Sequence, residues 1–76
     1  MAKQLYYVSP QPYDPDLGYR VTTKECCYDI EYDLKKMATR TNVRPSSNDE
    51  NDIAAAVDKA NKVLKNAGTS EYYEYR

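Results

Sequence analysis

Tyrosine is the residue type best able to carry chemistry in this chain. Nine of the 76 residues are tyrosine, and there is no Phe, Trp or His. A tyrosine ring packs as an apolar group at one end and forms hydrogen bonds at the other, and tyrosine is enriched in the centres of protein–protein contacts. Histidine, the usual general acid or base near neutral pH, is missing. The composition therefore favours binding over catalysis, and we expect no enzymatic activity.

The two cysteines, Cys26 and Cys27, are neighbours. A disulfide between neighbours closes almost no loop and would stabilise very little, so we expect two reduced thiols with one facing the core. A redox role would need a lowered thiol pKa, which the start of a helix at these residues would promote. A metal site would need further Cys or His ligands that the sequence lacks. We therefore expect neither a metal nor a cofactor.

The charges of the chain are nearly balanced, with a net charge of −1. Nucleic-acid-binding domains normally carry a clear basic excess, so nucleic acid is the weaker prediction for a partner. In two successive blocks of the chain, acidic residues precede basic residues. This order is the one that the dipole of a helix favours. The first basic block also supports an alternative hypothesis, a small nucleic-acid-binding regulator that uses Lys35, Lys36, Arg40 and Arg44.

The first half of the chain predicts two strands and a helix. Aromatic and β-branched residues favour strands at 3–9 and 19–22, separated by a Pro-rich loop. Thr22 and Glu25 fit a capping box, so we predict a helix over 23–39. An alternative remains, because apolar and acidic residues alternate over 28–34, as they do in a strand.

The second half predicts a helix and a final strand. Ser47 and Glu50 fit a second capping box, an amphipathic repeat follows, and Gly68 is suited to end the helix. Residues 71–76 read as a strand. We therefore predict a single small α+β domain over 1–76, with a three-stranded antiparallel sheet and two helices packed on one face, in the order β-β-α-α-β.

This architecture would leave two sets of tyrosines exposed. On a helix with Ile30 facing inward, Tyr28 and Tyr32 would lie four residues apart on the outer side. Side chains alternate along strands, so the sheet face away from the helices would also carry rings. Large exposed apolar patches usually mark a partner or a dimer contact. The predicted protein-binding residues are Tyr28, Tyr32, Glu25, Asp29, Asp33, Tyr6, Tyr73 and Tyr75.

No motif identifies a family, but the kind of chain is similar to the small inhibitors that phages and other mobile elements encode. We therefore predict a cytoplasmic, stoichiometric protein-binding inhibitor or adaptor, directed at a host defence or nucleic-acid-processing complex. Its acidic residues would engage a groove that normally holds nucleic acid. A structural homodimer subunit is a further alternative. The chain lacks an apolar run long enough to cross a membrane, and no signal peptide is visible at its start.

Overall fold

The computed structural model describes residues 3–76 and confirms the predicted α+β fold with the order β-β-α-α-β. The three strands form one antiparallel sheet in the order β2-β1-β3, so the first strand is central and the last returns beside it. Neither helix is long and apolar enough to cross a membrane in the part of the chain described. The elements are β1 (Leu5–Pro10), β2 (Thr22–Glu25), α1 (Ile30–Thr41), α2 (Glu50–Asn66) and β3 (Tyr72–Tyr75).

The register of the sheet decides which way each backbone group points. Gln4 and Arg76 exchange both backbone hydrogen bonds, and the Gln11 N–H donates to the Val21 carbonyl at 2.7 Å. In antiparallel pairs such hydrogen-bonded pairs alternate with non-bonded pairs. The even-numbered residues of β1 therefore bond to β3, and the odd-numbered residues bond to β2.

The predicted start of the first helix is wrong. Thr22 and Glu25 do not form a capping box, because Thr22–Glu25 is β2 and pairs with β1. The helix begins only after Tyr28, whose φ of 58° lies in the left-handed region and ends the extended segment. Asp29 is the N-cap, and its carboxylate accepts hydrogen bonds from the backbone N–H groups of Glu31 and Tyr32.

The predicted second helix is present as α2, but its N-cap is Asp49, so the predicted capping box of Ser47 and Glu50 is wrong. The Ser47 hydroxyl accepts a hydrogen bond from the Asp49 N–H and donates one to the Asp52 carboxylate at 2.6 Å, so it supports the cap from outside the helix. At the other end Gly68 has a φ of 79°, the left-handed conformation expected of a residue that ends a helix.

The main core cluster lies on one face of the sheet and both helices cover it, as predicted. Val8 is also fully buried, but alternation along β1 places it on the opposite face from Leu5. Leu5 and Tyr73 contribute from the sheet, and Tyr7 and Tyr75 pack against the cluster from the same face. Met37 of α1 is fully buried. The other members are helical residues, namely Leu34, Ile53, Ala56, Val57, Ala60 and Leu64.

Candidate protein-binding surface

Two of the sheet tyrosines that we predicted to face outward face the core instead. Tyr73 lies opposite Tyr7 and Tyr75 lies opposite Leu5, so both share the face that the helices cover. Tyr73 is only 4% exposed, and its ring centroid lies 5.1 Å from that of Tyr7. The placement of Tyr73 and Tyr75 on the outer face is therefore wrong, because strand alternation alone does not tell which face is covered. Tyr73 is too buried to contact a partner, whereas Tyr75 is half-buried and stays a predicted contact residue.

Arg40 closes one side of this inner tyrosine pair. Its guanidinium lies 3.9 Å from the centroid of the Tyr7 ring, and its Nη1 donates a hydrogen bond to the Tyr73 hydroxyl at 3.1 Å. Burial, followed by the Glu71 carboxylate, raises the pKa of Tyr7 to about 12. Burial also raises the pKa of Tyr73. Arg40 therefore has a structural role, but the residue is exposed, so its place in the predicted basic cluster stays a prediction.

The outer sheet face is partly covered by charged side chains. Lys24 lies on β2 and Glu74 on β3, so their ion pair at 3.6 Å spans the central strand. Arg76 lies 5.2 Å from the centroid of the Tyr6 ring, and its Nε is 3.2 Å from a Glu74 oxygen. Tyr6 is half-buried beneath this network, so the face is not the bare aromatic surface that we predicted.

The predicted acidic contacts divide into structural and exposed residues. Asp29 caps α1, and Asp33 is buried and accepts a hydrogen bond from the Cys27 N–H at 3.4 Å. Asp33 is therefore wrong as a surface contact, because it anchors the turn before the helix. Glu25 is exposed on β2.

The cysteines do not begin a helix, so the dipole that would have lowered a thiol pKa is missing there. Desolvation, followed by the Asp33 carboxylate, raises the pKa of Cys27, which disfavours the reactive thiolate. Both thiols are free, with Cys26 half-buried and Cys27 exposed. Within residues 3–76 no group of three or more His, Cys, Asp or Glu side chains is placed to hold a metal ion.

Tyr28 and Tyr32 are both exposed, but they do not share a helix. Tyr28 precedes α1 and is 77% exposed, whereas Tyr32 lies in the first turn. The Lys36 ammonium lies 5.0 Å from the centroid of the Tyr32 ring, which is within the range of a cation–π contact. The two rings are available to a partner, although the helical spacing that we used to place them together is wrong.

Two of the four predicted basic residues border an open groove of about 570 Å³ beside α1. Lys35 and Arg44 line this groove together with Glu31, and Leu34 and Ala38 contribute its apolar floor. Neither Lys35 nor Arg44 forms an ion pair with any residue from 3 to 76. The groove therefore keeps two of the four cations of the predicted basic cluster available to an anion.

Several exposed apolar side chains lie on a segment for which the sequence predicts a Pro-rich loop followed by a strand at 19–22. Residues 10–21, here called the hairpin arm, continue the β1–β2 hairpin and contain no buried residue. Tyr13 and Tyr19 are each 59% exposed. Leu17 and Val21 are exposed as well, so four large apolar side chains lie outside the core within twelve residues of chain.

The hairpin arm is ordered by its own backbone bonds. The Gly18 N–H donates to the Asp14 carbonyl at 2.9 Å, and the Asp14 carboxylate accepts from the Asp16 N–H at 2.9 Å. Asp14 also forms a β-bridge with Tyr19. Gly18 has a φ of 77°, which glycine adopts without the strain that a side chain would add. The exposed rings are therefore held on a defined turn.

The chain is more elongated than a compact domain of its length. The radius of gyration is 13.4 Å, whereas a compact domain of this length would have a value of about 11 Å. The principal extents are 44 × 29 × 17 Å. A signal for the arm does exist in the sequence, since Tyr13, Leu17 and Tyr19 are large apolar residues inside a Pro-, Asp- and Gly-rich segment. No protein-family model matches this chain, and no curated protein or solved structure is detectably similar to it.

Proposed function

We propose that this chain is a non-enzymatic module that binds another protein through its hairpin arm. The observation that carries the proposal is the ordered exposure of Tyr13, Leu17, Tyr19 and Val21 on residues that contribute nothing to the buried core. Exposed apolar side chains grouped on one feature are typical of interaction sites, and tyrosines contribute strongly to such contacts.

The hairpin arm would lose little conformational entropy on binding a partner. Its turn is held by the Asp14 and Gly18 backbone bonds before any partner arrives. Pro10, Pro12 and Pro15 also restrict the backbone. A preorganised surface loses less conformational entropy on association, so more of its contact energy contributes to affinity.

The contact surface has a polar rim that would suit a soluble partner. Asp16 and Arg20 are exposed beside the apolar side chains of the arm. Tyr28 and Glu25 are exposed near the base of the same hairpin in sequence, so they are secondary candidates for contact. The narrower hypothesis, a cytoplasmic stoichiometric inhibitor or adaptor acting on a defence or nucleic-acid-processing complex, stays a prediction.

The test compares two double variants in affinity capture followed by quantitative mass spectrometry. Tyr13→Ser/Tyr19→Ser removes two rings from the arm, and Tyr28→Ser/Tyr32→Ser removes the two rings beside α1. We expect proteins captured by the unaltered chain to be lost with the arm variant and to be only weakened by the other, because Tyr28 is a secondary contact. Capture that is insensitive to the arm variant, with an unchanged circular dichroism spectrum, would refute the arm as the binding surface.

A second candidate function is contact with nucleic acid through the groove beside α1. Lys35 and Arg44 support it because both line the groove without an ion pair in the described chain. Lys36 lies nearby, against Tyr32. A gel-shift series with single-stranded RNA and DNA tests this candidate, since phosphate contacts are strongest at low salt. No shift at the lowest salt concentration would exclude it.

A further inference from the structure

The two outer edges of the sheet differ in how their backbone groups are satisfied. On the β3 edge, Asn61 of α2 binds the outward-pointing groups of Tyr73 on both sides. Its Oδ1 accepts from the Tyr73 N–H at 2.7 Å, and its Nδ2 donates to the Tyr73 carbonyl at 3.0 Å. This side chain occupies the place that a further strand would take, so the β3 edge is closed at Tyr73.

The central strand is protected where it runs past the end of β3. Even-numbered residues of β1 point toward β3, and the pairing with β3 ends at Val8. The next even-numbered residue is Pro10, which has no N–H group to leave unpaired. Proline at such a position is one of the means by which natural sheets prevent unwanted strand addition.

The β2 edge has neither form of protection. Because Gln11 bonds to Val21, the backbone groups of Thr22 and Lys24 point away from β1. No partner for these N–H and carbonyl groups occurs among residues 3–76, and all four residues of β2 are exposed. This edge also continues directly into Val21 and the hairpin arm.

We propose that the β2 edge binds an extended segment of the partner protein as a fourth, antiparallel strand. This proposal rests on the proposed function, and it adds backbone hydrogen bonds at β2 to the side-chain contacts of the hairpin arm. In strand addition, main-chain hydrogen bonds give affinity and alternate side chains give specificity. The partner segment carries carboxylates at the positions opposite Arg20 and Lys24, with apolar residues between them.

The charges of the edge support this occupant over a second copy of the chain. Arg20 has no ion-pair partner in the described residues, and Lys24 has only the longer contact to Glu74. A self-pairing centred on Thr22 would set Arg20 opposite Lys24, and one centred on Lys24 would set two lysines face to face. One centred on Thr23 would set the two Lys24 side chains diagonally across from each other on the same face. Like charges directly opposite one another destabilise a strand pair.

The probe for the test is the labelled heptapeptide Thr-Glu-Val-Glu-Val-Glu-Thr, titrated against the full chain by fluorescence anisotropy. In an antiparallel pair, the residue opposite Lys24 lies on the same face of the sheet as Lys24 and exchanges both backbone hydrogen bonds with it. The backbone N–H groups of the Glu residues in the peptide therefore point at β2. N-methylation of the Glu amides should weaken binding by about tenfold or more, since several backbone bonds are lost. N-methylation of the Val amides, which point away, should leave affinity within about twofold.

Amide hydrogen exchange locates the contact in the chain. With saturating peptide, exchange at Thr22 and Lys24 should slow by about tenfold or more, while exchange at Tyr75 on the opposite edge stays unchanged. Absence of peptide binding, or equal binding by the two N-methylated peptides, would overturn the proposal. Protection at Tyr75 in place of Thr22 would overturn it as well.

Two substitutions at one position provide the matched protein control. Thr22→Pro removes an outward N–H and no internal hydrogen bond, and proline is tolerated on edge strands. Thr22→Val keeps that N–H and the β-branched shape. We expect Thr22→Pro to weaken peptide binding by about tenfold and Thr22→Val to leave it within about twofold. A dimer in sedimentation that Thr22→Pro abolishes would assign the edge to a second copy and overturn the partner assignment.

The same variants separate this inference from the proposed function. If Thr22→Pro retains the captured partner while Tyr13→Ser/Tyr19→Ser loses it, the arm binds the partner and strand addition is overturned. If Thr22→Pro loses the partner while the arm variant retains it, strand addition is supported and the arm is overturned as the binding surface.

Discussion

Asn61 should contribute a large share of the stability of this small domain. Its side chain forms two hydrogen bonds, at 2.7 and 3.0 Å, with the backbone of Tyr73, a core residue that is 4% exposed. Asn61→Ala would leave a backbone donor and an acceptor without partners at the edge of the core. At about 1 kcal/mol for each bond, the loss is about 2 kcal/mol. Alanine is the better helix former and returns about 0.5 kcal/mol.

The expected net loss for Asn61→Ala is therefore about 1.5 kcal/mol, against a total of about 3–5 kcal/mol for a core of this size. In urea denaturation followed by circular dichroism, the midpoint should fall by about 1.5 M, taking a slope of about 1 kcal/mol per M. Hydrogen exchange at the Tyr73 amide should accelerate more than exchange elsewhere in the sheet.

Asn66→Ala is the matched control, because Asn66 is the exposed last residue of α2 and its side chain has no hydrogen bond in the described chain. It should shift the urea midpoint little. Asn61→Asp keeps the acceptor for the Tyr73 N–H but sets a carboxylate against the Tyr73 carbonyl, so it should also destabilise. An Asn61→Ala variant as stable as the unaltered chain would refute the reasoning that this side chain satisfies the β3 edge.

Three further predictions concern the inner tyrosines and the arm. Tyr73→Phe keeps the ring but removes the acceptor for Arg40, so the free energy of unfolding in urea should fall by about 1 kcal/mol, and no change would contradict that bond. The folded pKa of Tyr7 is about 12, above its ordinary value of 10.0. The stability contributed by neutral Tyr7 is therefore complete below pH 10 and is lost as the pH rises toward 12. Alkaline unfolding followed by circular dichroism should be less steep in Tyr7→Phe. At Gly18 an added Cβ would have free space, but the φ of 77° is strained for alanine. Gly18→Ala should therefore cost the turn about 1–2 kcal/mol and speed hydrogen exchange at the amide of residue 18. Unchanged exchange at that amide would contradict a strained site.

The two edges of the sheet differ in their protection against pairing with another chain. A sheet of three strands has two edges, and each open edge can recruit another chain. Here α2 covers one edge through Asn61, and Pro10 protects the central strand beyond β3. The edge left open is the one that leads into the exposed rings of the hairpin arm, so the two proposed contact surfaces are adjacent along the chain.

Local patterns in the sequence determined the number, type and order of the elements. The amphipathic repeat of α2 and the glycine after it act within a few turns of chain, so they could be read without knowledge of the fold. The β-branched and aromatic runs likewise located β1 and β3. The start of α1 could not be read in this way, because Thr22–Glu25 satisfies a capping pattern and a strand pattern equally, and only pairing with β1 selects the strand.

The placement of the predicted contact residues was decided by tertiary structure. Alternation in β3 shows that Tyr72 and Tyr73 point to opposite faces, but the register with β1 and the clamp from Asn61 decide that Tyr73 is the buried one. The sequence around Asp33 predicts an exposed acidic residue. In the folded chain the turn before α1 places the Cys27 N–H within hydrogen-bond distance of the Asp33 carboxylate. The hairpin arm depends on bonds between residues that are up to ten positions apart, so composition revealed a loop there and only the folded chain shows an ordered, exposed surface.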